Sequence, residues 1–378
     1  MQLGKVPPLL PQLRAEFGFD LVAAGWLASA FSGVIGFLGL ACGIFADRLG
    51  RRRAMLSGLA CLVVAGSAGS LTHGGIPFIA ARLCEGVGFA LIAASAPGLI
   101  VQSTSGPAQR FALGLWGTYV PVGIAISMVL AQPFTDLLGW RGYWQANAVA
   151  LAVFSLFFAA WTRNLTTPAK RATLSGATAS LTRPGPYLMA LCFIFYTMQW
   201  YAVMTWLPTF AIEVLRLDAF GASWIVAGIV ISNAGGNIFS AFMLRRGVPR
   251  WRMVAIASGC MGLLSLFIFS NLLPDAGKFA AAAAFSLIGG MLPASLLSGA
   301  ATHAATPAEV GIVNGVMIQG AQLGQFLGPP ALAAVVAWLG GWQNSGGLLL
   351  SCGIIGIGLA LALRSAELRL AQSRLRST

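Results

Sequence analysis

The sequence predicts an all-α membrane protein, on three observations: an apolar composition, apolar runs of bilayer length that recur from end to end, and basic residues gathered on one side of those runs. Of 378 residues, 57% are hydrophobic and 9% charged, whereas soluble domains carry about 25% charged residues. Mean hydropathy is +0.81. A helix needs roughly 20 mainly apolar residues to cross about 30 Å of hydrocarbon at 1.5 Å per residue. Runs that meet this requirement fall at 21–45, 54–72, 75–103, 108–132, 142–161, 187–211, 220–244, 252–271, 277–303, 308–337 and 342–363, which makes eleven complete spans.

Turn residues such as Gly74-Gly75 and Pro274-Asp275-Ala276-Gly277 separate most of these runs. One connection is different. Residues 162–186 are polar and carry Arg163, Lys170, Arg171 and Arg183 with no acid, so they read as a linker between 1–161 and 187–363, with a tail at 364–378. If the loop at 46–53 is placed in the cytoplasm and the sides alternate, seventeen Lys/Arg fall inside. Only Arg14, Arg141, Arg216 and Lys278 fall outside, while Lys5 and Arg82 lie within spans. That bias is the positive-inside signal of a multi-pass protein of an inner or plasma membrane, with linker and C-terminus cytoplasmic. The same orientation puts residue 20 outside, yet about 12 helical residues before it would cover only about 18 Å. The first helix is therefore expected to be truncated, giving eleven complete spans plus a fragment.

Internal repetition supports a paired architecture. Trp26 begins a run that ends in Arg48, and Trp224, 198 residues later, begins one that ends in Arg246. Gly139-Trp140-Arg141 is echoed by Gly341-Trp342-Gln343. Two six-helix halves related by a parallel repeat are expected.

Composition also excludes classes. The net charge of +13 sits in short loops between apolar runs and not in an aromatic-interleaved patch, so nucleic acid is not the expected partner; the lipid bilayer is. Cys42, Cys61, Cys84, Cys192, Cys260 and Cys352 lie in or at the ends of apolar runs without a C-x-x-C pair, and His73 and His303 are far apart, so neither a disulfide framework nor a metal site is expected. No cofactor is implied, and no arrangement of acids, His or Ser points to an enzyme.

The most specific motif is Gly43-Ile-Phe-Ala-Asp47-Arg48-Leu-Gly50-Arg51-Arg52-Arg53. It resembles the signature of the major facilitator superfamily between helices 2 and 3, G-x-x-x-D-R-x-G-R-R-R/K, at every position. The resemblance implies a bundle of two six-helix halves that transports a solute. It also implies a cytoplasmic gate latched by Asp47 and the arginines Arg48 and Arg51, with Gly43 permitting close helix approach and Gly50 the tight turn. The corresponding second-half loop, Leu244–Arg250, lacks the acid, so the latch is expected to be asymmetric. Arg82-Leu-Cys-Glu85-Gly86-Val-Gly88-Phe-Ala90 resembles the family's R-x-x-Q-G-x-G-x-A pattern, with Glu85 where Gln is common. Pro8-Leu-Leu-Pro11 resembles its pattern at the outer end of helix 1, with Lys5 just before it.

Ionisable residues inside a span are functional by default. Arg82 and Lys5 are candidate contacts for a substrate anion, and Glu85 is the candidate for a coupling proton. Arg82 and Glu85, three apart on one helix face, can equally neutralise each other. Further candidates for a polar solute are Tyr119 in helix 5, Tyr196, Gln199 and Trp200 in helix 7, Asn233 and Asn237 in helix 8, and Gln319 and Gln322 in helix 11. Helix 5 matches the Gly/Pro motif of the family's antiporters only in part, since Val120 precedes Pro121. Tyr201 to Pro208 resembles the Y-x-x-x-x-W-L-P element of the cyanate and nitroimidazole transporter branch, and Pro208 is expected to break helix 7 near its outer end. The reading is a secondary transporter moving a small organic anion or a polar, aromatic-compatible molecule by alternating access. A multidrug or metabolite exporter of the same superfamily and a non-transporting membrane sensor are the competing readings.

Overall fold

The computed structural model describes residues 1–117, 119–165, 178–306 and 309–377; the side chains of 47, 107, 110, 111, 113, 114, 117, 178 and 373–377 lie outside that description. The linker stretch 166–177 and Thr118 are likewise outside it. The chain forms two compact units, Met1–Thr173 with Ala211–Ala227, and Leu174–Phe210 with Gly228–Thr378.

In the first unit a 3-10 turn, Pro7–Leu9, leads into α1 (Leu10–Phe17), followed by α2 (Leu21–Leu49), α3 (Arg51–Ser70), α4 (Gly75–Ser103), α5 (Gly106–Gly117) and α6 (Tyr119–Trp161). Asp20 caps α2, its carboxylate accepting from the Ala23 N–H at 2.7 Å, which satisfies an orphan donor of the first turn. Gly50, at φ 88°, ends α2 and starts α3 in one residue, a conformation that L side chains avoid. The 43 residues of α6 would reach about 65 Å, twice the hydrocarbon thickness. Gly139, at φ 69° and ψ 171°, breaks the helix, so the expected spans at 108–132 and 142–161 are distinct. α3 and α4 approach through Gly58 and Gly88: a Cβ on Gly58 would lie 2.5 Å from the Gly88 carbonyl oxygen, and one on Gly88 2.7 Å from that of Gly58. Small residues at helix contacts are how membrane helices gain packing when lipid is as apolar as the side chains.

The remaining elements are α7 (Thr178–Leu181), α8 (Pro184–Glu213), α9 (Ala219–Arg245), α10 (Arg250–Ile268), α11 (Asp275–Gly289), α12 (Met291–Leu297), α13 (Ala300–His303), α14 (Val310–Leu339) and α15 (Gly346–Ser377). The span expected at 277–303 is thus three short helices in line. Pro208 does not break its helix: α8 continues through it to Glu213, because membrane helices tolerate the missing N–H when neighbouring groups pack around it. Two residues earlier, Trp206 is fully buried and donates its indole N–H to the Pro329 carbonyl at 2.9 Å. Its ring sits 5.7 Å from that of Trp342, which also meets Phe269.

Ten helical stretches are long and apolar enough to cross a membrane, among the described residues, and the broken α6 supplies two spans in one. Large apolar side chains such as Ile76, Leu137 and Trp338 are more than 80% exposed. A surface of that kind suits lipid and not water.

Candidate functional site

In the first unit, α4 carries Arg82 and Glu85 on one face, and the Arg82 guanidinium donates through Nη1 to Glu85 Oε2. Lys5 closes the other side, its Nζ donating to Glu85 Oε1 at 2.6 Å. All three residues are 0% exposed. Lys5 is delivered by the segment before Pro7–Leu9, which lies so close to α6 that a Cβ on Gly4 would stand 2.5 Å from the Ile124 carbonyl oxygen. Its ammonium sits 3.7 Å above the Trp144 ring, and the Arg82 guanidinium lies 5.0 Å from the Phe31 ring and 5.6 Å from Trp144. Arg82 Nη2 also donates to the Gln2 carbonyl at 3.3 Å.

With all three groups ionised, the cluster encloses two positive charges and one negative. Burying an uncompensated charge is unfavourable by several kcal/mol. In addition, Arg82 Nε, Trp144 Nε1 and Gln2 Oε1 are buried without a hydrogen-bond partner, and each such group costs about 1–3 kcal/mol. An anion with acceptor oxygens answers both deficits. From Phe31 a row of rings leads away from the charges: Phe89 at 5.1 Å, then Tyr119 at 6.0 Å, then Trp116 stacked on Tyr119 at 4.5 Å.

In the second unit Tyr196, Trp200, Asn233 and Asn237 come together on Ser286. Asn233 Nδ2 donates to the Ser286 carbonyl at 2.9 Å and meets the Tyr196 hydroxyl at 3.2 Å. Trp200 donates to the Ser286 hydroxyl at 3.1 Å, and Asn237 donates to Asn233 Oδ1 at 3.2 Å. Gln199 lies beside them in sequence, but its amide donates to its own helix at Phe195 and its Oε1 is buried and unpaired. On α14, Gln322 is buried with Oε1 unpaired and Gln319 is half-exposed; neither bonds to the Ser286 group among the described residues.

The model of the Major Facilitator Superfamily matches residues 1–329. The chain belongs to the major facilitator superfamily. It is 27% identical over 300 residues to the 3-(3-hydroxy-phenyl)propionate transporter of Escherichia coli (strain K12), covering 76% of this chain and 68% of that protein. It is 34% identical over 163 residues to the cephamycin export protein CmcT of Amycolatopsis lactamdurans, covering 43% of this chain but 33% of that one. The multidrug efflux protein YfmO of Bacillus subtilis (strain 168) is 24% identical over 257 residues, 68% of this chain and 63% of the relative. A bacterial homolog of the human lysosomal transporter Spinster, solved inward-facing and unoccupied, shares the fold with a TM-score of 0.77 at 13% identity, over 99% of this chain and 94% of that one.

The major facilitator signature loop has several distinct fates. The Asp47 side chain lies outside the described residues. Arg48 is exposed in the last turn of α2. The Arg51 guanidinium packs on Gly98 of α4, in the space a Cβ would need. Gly43, expected to permit a close approach, has no atom of the described residues within 4 Å of a Cβ placed there; Gly58 and Gly88 make a close approach in this unit. Arg52, which sequence reasoning passed over, donates from Nε to Thr162 Oγ1 at 3.1 Å and from Nη2 to the Ala159 carbonyl at 3.0 Å. It thereby ties the start of α3 to the end of α6.

Arg250, 198 residues after Arg52, starts α10 in the same way and reaches the last helix, pairing with Glu367 on α15 and donating to the Ser295 carbonyl at 3.1 Å. The acid missing from the second-half loop is thus supplied from elsewhere in the chain. The repeat offset alone could have flagged Arg250. Nothing in the sequence flagged Trp144, Phe31 or Ser286, which have no ionisable group and no motif.

Proposed function

We propose that this superfamily member is a secondary transporter working by alternating access between two six-helix halves, and that its substrate is a small organic anion bearing an aromatic ring. The carrying observation is the enclosed Lys5–Glu85–Arg82 cluster, in which two basic groups share one carboxylate with rings on their flank. A substrate carboxylate competes with Glu85 for Lys5 and Arg82, and its ring takes the Phe31–Phe89–Tyr119 side. The relative named for 3-(3-hydroxy-phenyl)propionate, an aromatic carboxylate, supports the class. Tyr196, Gln199, Trp200, Asn233, Asn237, Gln319 and Gln322 supply the polar contacts of the second half. Asp47, Arg48 and Arg51 hold the cytoplasmic gate, and Glu85 carries the coupling proton once the anion releases it. The protein sits in an inner or plasma membrane with linker and C-terminus cytoplasmic.

The test is a binding titration of purified protein with 3-phenylpropionate and with its neutral amide, followed by intrinsic tryptophan fluorescence. The acid binds and the amide binds at least tenfold more weakly. Arg82→Ala weakens the acid by roughly 10–100-fold, the worth of a charge-assisted hydrogen bond. Equal affinity for acid and amide, or undiminished affinity in the Arg82 variant, overturns the reading. Glu85→Gln keeps acid binding but loses accumulation driven by a proton gradient; accumulation that survives removes Glu85 from the coupling role. Two relatives are named for export, and the same cluster serves that direction, so uptake is compared in right-side-out and inside-out vesicles.

A further inference from the structure

Two buried groups on α8 in the second unit have hydrogen-bonding needs of opposite kind that the fold leaves unmet. Gln199 is 1% exposed; its Nε2 donates to the Phe195 carbonyl at 3.2 Å, while its Oε1 is buried without a partner among the described residues. Reversing the amide would set Oε1 against the Phe195 carbonyl oxygen, so the unmet group is an acceptor. Tyr196, three residues earlier and 5% exposed, is the reverse case. Its hydroxyl oxygen accepts from Asn233 Nδ2 at 3.2 Å, and its own proton goes to no acceptor among the described residues. Residues three apart are neighbours on a helix surface.

Both groups are held in place. The Phe195 carbonyl fixes the Gln199 amide. Asn233, which fixes the tyrosine oxygen, is itself held by the Ser286 carbonyl at 2.9 Å and by Asn237 at 3.2 Å. The Tyr196 ring is bounded at its edge by α11, where a Cβ on Gly289 would stand 3.3 Å from Cε2. The side chains bonded in this group, Asn233, Asn237, Trp200 and Ser286, are all uncharged, so the pair suits a neutral ligand group. A carboxylate or a carbonyl only accepts and an ammonium only donates, whereas a hydroxyl does both through one oxygen. We propose that Gln199 and Tyr196 are specificity-determining residues that read a hydroxyl on the transported molecule. The hydroxyl donates to Gln199 Oε1 and accepts from the Tyr196 O–H. The inference rests on the reading of the substrate as an aromatic acid and adds that its ring is hydroxylated. An analogue without the hydroxyl leaves both buried groups unpaired, which is how a site built for a hydroxyl rejects a molecule that lacks one.

The experiment is calorimetric titration of the full-length protein in detergent with 3-phenylpropionate, its 2-, 3- and 4-hydroxy derivatives and their methyl ethers. A neutral pair, 3-ethylphenol and 3-ethylanisole, is titrated beside them. The best hydroxy acid is expected to bind roughly tenfold more tightly than 3-phenylpropionate. Its methyl ether, which accepts but cannot donate to Gln199, loses that gain. In Gln199→Leu the ratio of the two affinities falls to about one, and in Tyr196→Phe it falls part of the way. A ratio taken within one variant is unmoved by a general loss of binding. Should Gln199→Leu not fold, Tyr196→Phe and the methyl ethers carry the test. If the acids bind but hydroxylation brings no gain, or if Gln199→Leu keeps the full ratio, the pair serves no substrate hydroxyl and the proposal falls while the aromatic-acid reading stands. If no acid binds but 3-ethylphenol is preferred over 3-ethylanisole and Gln199→Leu abolishes that preference, the hydroxyl reader stands and the acid reading falls. If neither series is discriminated, the hydroxyl reader falls as well.

Discussion

Replacing Glu85 by Gln removes the negative charge that Lys5 and Arg82 share while keeping the shape of the side chain. Both cations are 0% exposed, and the carboxylate accepts from each of them, at 2.6 Å from Lys5. Breaking a buried pair by removing one partner costs about 3–5 kcal/mol, because the remaining charge stays buried without compensation. Two cations are stranded here, so the upper part of that range is expected. Lys5→Met alone leaves a neutral Arg82–Glu85 pair. It gives up the contact with the Trp144 ring, worth about 2 kcal/mol when desolvated, and is expected to be the milder variant. The double variant strands only Arg82, so its loss falls short of the sum of the singles by about 2 kcal/mol, within the usual range for residues in contact. The measurement is a denaturant titration of the four proteins in detergent, followed by tryptophan fluorescence. Additivity to within about 0.5 kcal/mol is what independent sites give, and that result would refute the claim that the three groups act as one buried cluster.

Three further outcomes follow from the geometry. Gly88→Ala places a Cβ 2.7 Å from the Gly58 carbonyl oxygen and is expected to cost about 1–3 kcal/mol by overpacking, whereas Gly43→Ala meets nothing and melts like the parent; equal melting of the two variants would contradict the α3–α4 contact. Asp47→Asn is expected to slow transport without lowering expression, and unchanged initial rates would remove Asp47 from the gate. The Ser180 hydroxyl and N–H hold the Glu309 carboxyl below its ordinary value of 4.5. A lowered acid stabilises the fold above its ordinary value and loses that contribution as pH falls through the lowered one. The protection factor of the Ser180 N–H against hydrogen exchange is therefore expected to hold down to about pH 4.5 and to fall below it; Glu309→Gln removes that dependence, and a variant that keeps it would point to another group.

The helices were legible because each membrane crossing writes its own signal: some 20 apolar residues bounded by turns and charges. What the runs do not encode is how a helix is interrupted inside them. Gly139 turns the chain at a corner between two apolar spans, and the stretch 275–303 breaks into three pieces. Pro208 misled in the opposite sense, since the breaker rule belongs to water-exposed helices. In the candidate site, ionisable residues announced themselves by the expense of placing them in a bilayer. That Lys5 and Arg82 would share one carboxylate was not visible, because Lys5 and Glu85 lie 80 residues apart and meet only through the fold. Aromatic partners such as Trp144 gave no signal at all: in a chain this apolar, one more ring is unremarkable.

The two halves can be laid on each other like a ruler and its copy. Asp20 and Asp218 cap α2 and α9 at the same offset of 198, each accepting from the residue three places on, and Ser70 and Ile268 end α3 and α10 at that offset too. The next helices begin at Gly75 and Asp275, an offset of 200, because the connection 71–74 has four residues where 269–274 has six. By Trp140 and Trp342 the offset is 202. The copies have thus drifted in length while holding helix register over long stretches, and the first two added residues fell in a turn. A turn absorbs two residues for a few tenths of a kcal/mol of closure entropy, whereas an insertion within a helix rotates everything beyond it by about 100° per residue. The drift marks connection 269–274 as a place where this chain accepts added length, and so as a site for a reporter tag that leaves both units intact.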